Sequence, residues 1–305
     1  RHIEKRTLQA KNLINTTWQH LMGKSEINVR MKSKVYLAVC RSIQAYTAQV
    51  WVFEEVDKLQ RYFMKKILYL LSFTSNYIHM LETEAKDSYL YTLGLHLKYL
   101  SRTMYHYAEH RLPRQLSFIL LRRNLFWVKE LKSKASSLNM HWPESNPTVL
   151  QWNQFSRELL NSLKQQKFNE RIQRKNETTT RIYKHLDVES GKQYFIDNFN
   201  TNNITWIFKA RSGLISLNYN RFGAENMDRH CKMCNLHVIE TFQQILGICP
   251  VLREFRLANF RESSLREDEI INILNGQNKD DWVNLVNYLK CSLKYRNFLI
   301  TEFDQ

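Results

Sequence analysis

Three thiols carry the strongest chemical signal in this 305-residue chain: Cys231 and Cys234 in the run Cys231-Lys232-Met233-Cys234, and Cys249, which precedes Pro250. A Cys-x-x-Cys pair lets one metal ion take both thiolates, and the third thiol follows after fourteen intervening residues. Small zinc knuckles complete a four-ligand set with one more Cys or a His. His237 lies between the second and third cysteines, and His230 adjoins the first. The same residues also read as three buried, inert thiols, because free cysteine is often a core residue. A third Cys and two His within twenty residues tilt the balance toward a metal site, present or ancestral.

Other reaction chemistry is poorly represented. The paired acids Asp280-Asp281 could hold Mg²⁺ for phosphoryl transfer. Their setting, Asn278-Lys279-Asp280-Asp281-Trp282, reads instead as the cap and first turn of a helix. No spaced Asp/Glu set suggests a nuclease, and no Gly-rich phosphate loop or Gly-x-Ser-x-Gly elbow is present. His96, His106 and His110 fall near helical spacing but have no carboxylate or Cys near them in sequence, so a wet helical face is expected. The aromatics between Tyr89 and Tyr107 could stack bases, but at that spacing they read first as helix core.

The elements that must position these groups read as helices. With 7 Gly and 4 Pro in the whole chain, there are too few turn residues for sheets and tight hairpins. Apolar positions at steps of three and four predict helices over 1–23, 27–52 and from about 54. Ser75 or Asn76 caps a short helix, residues 86–110 form a long one, and a basic helix follows Pro113 to about 136. The stretch 139–147 holds two prolines and reads as a linker, followed by polar helices over 148–166 and 168–186. A compact apolar segment begins near Ile204, residues 218–227 are loop-like, and helices over 264–275 and 279–301 close the chain. The expectation is an all-α protein in three parts: a helical bundle over 1–137, a helical linker over 138–200 and a Cys-module domain over 201–305.

Charge narrows the partners. The chain carries 45 Lys and Arg against 29 Asp and Glu, a net +16. Residues 1–140 hold 23 basic and 10 acidic side chains, net +13, and residues 141–305 hold 22 and 19, net +3. So uneven an excess points to a polyanion facing the first part, nucleic acid ahead of an anionic membrane surface. Lys32, Lys34, Arg41, Arg61, Lys65 and Lys66 lie off the apolar stripes of their helices and are the candidate backbone contacts. No apolar run approaches the roughly 20 residues of a membrane span. Five cysteines, an odd number, fit a reducing intracellular compartment, nuclear or cytoplasmic, better than a disulfide scaffold. The chain opens on Arg1 inside a helical pattern, which suggests a piece of something longer.

Several runs resemble a known family. Lys209-Ala210-Arg211-Ser212-Gly213-Leu214, Leu217-Asn218-Tyr219, Cys231-x-x-Cys234-Asn235, Glu240-Thr241, Leu246-Gly247, Cys249-Pro250 and Arg256 look like the C-terminal Cys-Cys-His-Cys module of insect-type non-LTR retrotransposon reverse transcriptases. Lys34-x-x-Leu37, Arg41-Ser42-Ile43, Tyr46-Thr47-Ala48-Gln49-Val50-Trp51, Leu59-Gln60-Arg61-x-Phe63 and Ile67-Leu68 are similar to that family's thumb, with Thr47 where the family has Gly. The resemblance implies a thumb gripping a template–primer duplex, and a module holding RNA or target DNA during target-primed reverse transcription. It puts the palm and fingers, with their catalytic Mg²⁺ site, upstream in the same polyprotein and outside this chain. It also implies zinc, yet the position of the zinc-ligating His, five residues before the last Cys, is Gln244. The expectation is that His237 or His230 substitutes, that the site is weak, or that this copy has decayed; the candidate ligands are Cys231, Cys234 and Cys249 with His237. A short helix leading into Cys249 would turn residue 244 toward the metal. The alternative is a transposon-derived interaction scaffold without enzymatic chemistry.

Overall fold

The computed structural model of the chain describes residues 2–46, 57–72, 74–83, 85, 87–125, 127–143, 147–178, 181–188, 193–196, 199–217, 229–234 and 236–303. The loop expected at 218–227, the run from Thr47 to Trp51, and Asn235 lie outside them. Among the described residues the protein is all-α, and the β-structure consists of an isolated antiparallel bridge between His230 and Ile239.

The helices are α1 His2–Thr16, α2 Val29–Val35, α3 Arg41–Gln44, α4 Asp57–Ile67, α5 Asn76–Glu82, α6 Ser88–Tyr105, α7 Leu112–Arg123 and α8 Trp127–Ser137. They continue with α9 Val149–Asn176, α10 Arg181–His185, α11 Gln193–Ile196, α12 Thr201–Arg211, α13 Arg253–Phe260, α14 Glu267–Asn275 and α15 Lys279–Phe303. Wider π-helical turns occupy Trp18–Met22, Tyr36–Cys40 and Gln244–Ile248. No described helix is long and apolar enough to cross a membrane.

The chain divides into two compact units, each drawn from segments that alternate along the sequence. The first comprises Arg1–Gln19, Ser33–Met64 and Ala85–Gln173; the second comprises His20–Lys32, Lys65–Glu84 and Arg174–Gln305. The expected linker carries a single 28-residue helix instead of two short ones. Its Trp152, Phe155, Leu159 and Leu163 bury one face in a core with Tyr89, Leu93, Leu97, Leu100 and Met104 of α6 and Val128, Leu131 and Ala135 of α8. The indole of Trp152 donates to the Leu97 carbonyl at 3.3 Å. A segment so rich in charge and amide still earns a place in the core through four large side chains at helical spacing.

In the first unit, α4 caps the start of α6. Gln60 Oε1 accepts from the Ser88 amide (3.1 Å) and hydroxyl (2.9 Å), and Asp57 accepts from the Tyr89 amide at 3.0 Å. These satisfy donors that an α-helix leaves open at its N-terminus. Asp87, beside them, pairs with Arg171 of α9 at 2.6 Å. The helix expected over 113–136 breaks into α7 and α8 at Asn124, whose φ of 52° is a left-handed conformation that Asn tolerates well.

In the second unit, Arg211 is fully buried and paired with the equally buried Glu82 (Nε–Oε2 2.8 Å). Its guanidinium also donates to the Asp187 carbonyl at 2.7 Å and to the Leu274 carbonyl, while Tyr194 donates to Glu82 at 2.9 Å. One cation thus joins α5, α11, α12 and the end of α14. Asp280-Asp281 behaves as a helix start. Asp281 Oδ2 accepts from the Gln277 and Asn278 amides at 2.8 and 3.2 Å, and the Asp281 amide donates to Asn278 Oδ1 at 3.0 Å.

Candidate metal centre

The segment bearing the first two thiols doubles back as a minimal hairpin. The Cys231 amide donates to the Val238 carbonyl at 2.9 Å and the Glu240 amide to the Arg229 carbonyl at 2.8 Å, which brackets the His230–Ile239 bridge. Thr241 then starts a helical turn, its hydroxyl accepting from the Gln244 amide at 3.1 Å. The turn widens over Gln244–Ile248 and delivers Cys249, whose amide donates to the Gln244 carbonyl at 2.8 Å. From Cys249 the chain enters the 3₁₀ turn Pro250–Leu252 and then α13.

This path brings Cys231, Cys234 and Cys249 together. All three are buried, and their sulfurs lie within 4.8 Å of one another, close enough to bind one metal ion. Sulfurs around a tetrahedral zinc ion sit about 3.8 Å apart, from Zn–S bonds of about 2.3 Å. Each sulfur also accepts a backbone amide: Cys231 from Met233 and Cys234, Cys234 from Leu236, and Cys249 from Val251. Amide donors of this kind favour thiolate over thiol. The Cys249 thiol donating to Cys231, helped by two of these amides, lowers the Cys231 pKa to about 5 against the effect of burial. Cys249 is pushed up by the same bond and by burial, and Cys234 is pushed up by burial. Cys40 is unlike them: burial raises its thiol to about 11, as suits an inert core residue.

Gln244 lies beside Cys234 of the cluster. It is 3% exposed, and its Nε2 lies 3.5 Å from Cys234 Sγ. Its Oε1 is buried with no hydrogen-bond partner among the described residues. The turn leading into Cys249 brings the side chain of residue 244 to Cys234. His237 is exposed, sits at a φ of 51°, and is not among the donors clustered with the thiols. His230 is exposed as well.

Buried polar contacts hold this arrangement from behind. Glu240 and Arg296 of α15 meet at 2.7 and 2.5 Å, both shielded from solvent. Arg256 of α13, also buried, donates to the carbonyls of Cys249 (2.6 Å), Ser263 (2.8 Å) and Ile245 (3.5 Å), and Tyr288 donates to Ile245 at 2.6 Å. Sequence reading named Glu240 and Arg256 only as points of resemblance and missed Arg296 and Tyr288. Nothing local marks the latter two, since their partners are 56 and 43 residues away in sequence.

The six cations expected to contact nucleic acid fare unequally. Lys34 is exposed, and Arg41, Arg61, Lys65 and Lys66 are half-buried. Arg41 packs on the Tyr91 ring at 4.0 Å, and Lys65 donates to the Ser72 carbonyl at 2.7 Å. Lys32 corrects the expectation. It is fully buried, its ammonium donates to Thr201 Oγ1 at 2.9 Å, and burial lowers its pKa to about 8. A side chain spent on fixing the first residue of α12 cannot reach a phosphate. Lys34, Arg41 and Arg61 belong to the first unit, and Lys65 and Lys66 to the second.

No protein-family model, curated protein or solved structure matches the chain.

Proposed function

We propose that this chain is the post-catalytic part of a non-LTR retrotransposon reverse transcriptase, binding template–primer and RNA or target DNA through basic helices and a zinc-organised Cys module. The observation that carries the reading is the place of residue 244. The resemblance assigns the zinc-ligating imidazole to that position, and the side chain at that position reaches Cys234, one of the three clustered thiols. The order of donor positions along the chain (Cys231, Cys234, 244, Cys249) is the order of a Cys-Cys-His-Cys module.

Zinc would be held by the three thiolates. It would supply structure rather than reactivity, fixing the hairpin against the start of α13. Where a metal binds the folded segment and not the unfolded one, its binding free energy becomes folding free energy. The net +13 of residues 1–140 supplies the sequence-independent attraction to phosphates. An RNA–DNA hybrid is recognised chiefly by shape and backbone, which suits lysines and arginines spread over helices. Polymerisation itself belongs to the palm and fingers of the same polyprotein.

The test is direct. The whole chain, equilibrated with zinc under reducing conditions, should carry one zinc per chain. It should bind two RNA–DNA hybrids of unrelated sequence with similar affinity. Failure to bind either hybrid, or binding that tracks one sequence, overturns the proposal.

A further inference from the structure

The residues around the thiols answer what completes a metal site that has no imidazole among its clustered donors. Building on the zinc reading above, we propose that the side-chain oxygen of Gln244 is the fourth ligand of a three-thiolate, one-oxygen zinc site.

Three observations converge on this. First, a tetrahedral ion with Zn–S of about 2.3 Å and Zn–O of about 2.0–2.2 Å separates sulfur from oxygen by about 3.5–3.7 Å. The terminal amide nitrogen of Gln244 stands 3.5 Å from Cys234 Sγ, so that end of the side chain already lies at a ligand's separation from one of the three sulfurs. Second, Oε1 is buried without a partner among the described residues. A buried carbonyl oxygen left unsatisfied costs on the order of 1–3 kcal/mol, and a cation at the centre of the thiols would remove that cost. Third, a half-turn about the terminal torsion exchanges Nε2 and Oε1 without changing the volume filled. In the metal-free cluster the amide donates toward sulfur. With a cation among the sulfurs the same group presents its oxygen.

The backbone of Gln244 is anchored on the loop that carries Cys249: its N–H donates to Thr241 Oγ1 and its carbonyl accepts from the Cys249 amide. A neutral oxygen gives a weaker site than an imidazole nitrogen, but a closed one, from which water and exchanging ligands are excluded. Zinc, or another borderline divalent ion that accepts tetrahedral thiolate coordination, is the ion such a set takes.

The experiment compares zinc affinity, by competition with a chromophoric chelator, across the whole chain and its Gln244→Ala, Gln244→Glu and His237→Ala variants. Co²⁺ spectra of each serve as a report on the ligand set. The proposal expects Gln244→Ala to bind zinc at least about tenfold more weakly, the range seen when groups around a metal are removed. It expects Gln244→Glu to bind more tightly than the parent, because a carboxylate oxygen is the stronger donor, and His237→Ala to be unchanged in affinity and spectrum. If Gln244→Ala binds as tightly as the parent, or if His237→Ala is the variant that loses affinity, the proposal is overturned while the zinc reading stands. If the parent takes up no zinc at all, the zinc reading itself fails and this one with it. Should Gln244→Ala lose helicity without metal, Gln244→Glu carries the test, and affinity no better than the parent's refutes the oxygen ligand.

Discussion

The Glu240 carboxylate and the Arg296 guanidinium meet through two hydrogen bonds of 2.7 and 2.5 Å in a site closed to solvent, joining the thiol hairpin to α15. Cutting one side of such a pair strands a buried charge, which typically costs about 3–5 kcal/mol. Arg296→Met should therefore lower the melting temperature sharply in both the presence and the absence of zinc. Removing both charges, as Glu240→Met with Arg296→Met, should recover much of the loss. A single variant as stable as the parent in thermal melts would show that the pair does not hold the hairpin.

Gln244→His should tighten zinc binding by at least about tenfold, because an imidazole nitrogen replaces an amide oxygen at the same corner. The melting point should rise in zinc and stay unchanged in chelator. Zinc affinity equal to the parent's would mean that residue 244 does not reach the metal.

Gly247 lies beside the site with no room for a side chain. A Cβ there would stand 2.6 Å from the Leu265 carbonyl oxygen and 2.9 Å from Ile270 Cδ1. Since Leu265 also donates its amide to the Gly247 carbonyl at 3.0 Å, the two strands of chain cannot part cheaply. Gly247→Ala should destabilise by about 1–3 kcal/mol, as overpacking does. Chemical denaturation checks this, and a variant within a few tenths of the parent would refute the close approach.

Much of this was legible in advance, and the gaps have physical causes. The all-α class follows from the scarcity of Gly and Pro. The thiol cluster follows from Cys-x-x-Cys, and the place of residue 244 from one helical turn before Cys249. The single long α9 was not legible, because it spends its four core side chains among many polar ones. Lys32 looked like a solvated cation because its partner, Thr201, is 169 residues away. The Glu82–Arg211 pair is hidden in the same way, across 129 residues.

Lys32 gives a prediction in pH. Its folded pKa, about 8, lies below the 10.5 of the unfolded chain because burial disfavours the charge. Between those values the unfolded state binds the extra proton, so the penalty is full below about pH 8 and is relieved as pH rises toward 10.5. The stability difference between the parent and Lys32→Met, from denaturant titrations across that window, should move in the parent's favour with increasing pH. A flat difference would mean that Lys32 titrates normally. Nucleic-acid affinity should be untouched by the same substitution.

The central claim, that basic helices grip a nucleic-acid backbone without reading its sequence, is tested most directly by the salt dependence of binding. Affinity of the whole chain for an RNA–DNA hybrid should fall linearly on logarithmic axes as salt rises, and Lys34→Ala should make the slope shallower by about one. A slope near zero, or an affinity that holds from low to moderate salt, would contradict the account.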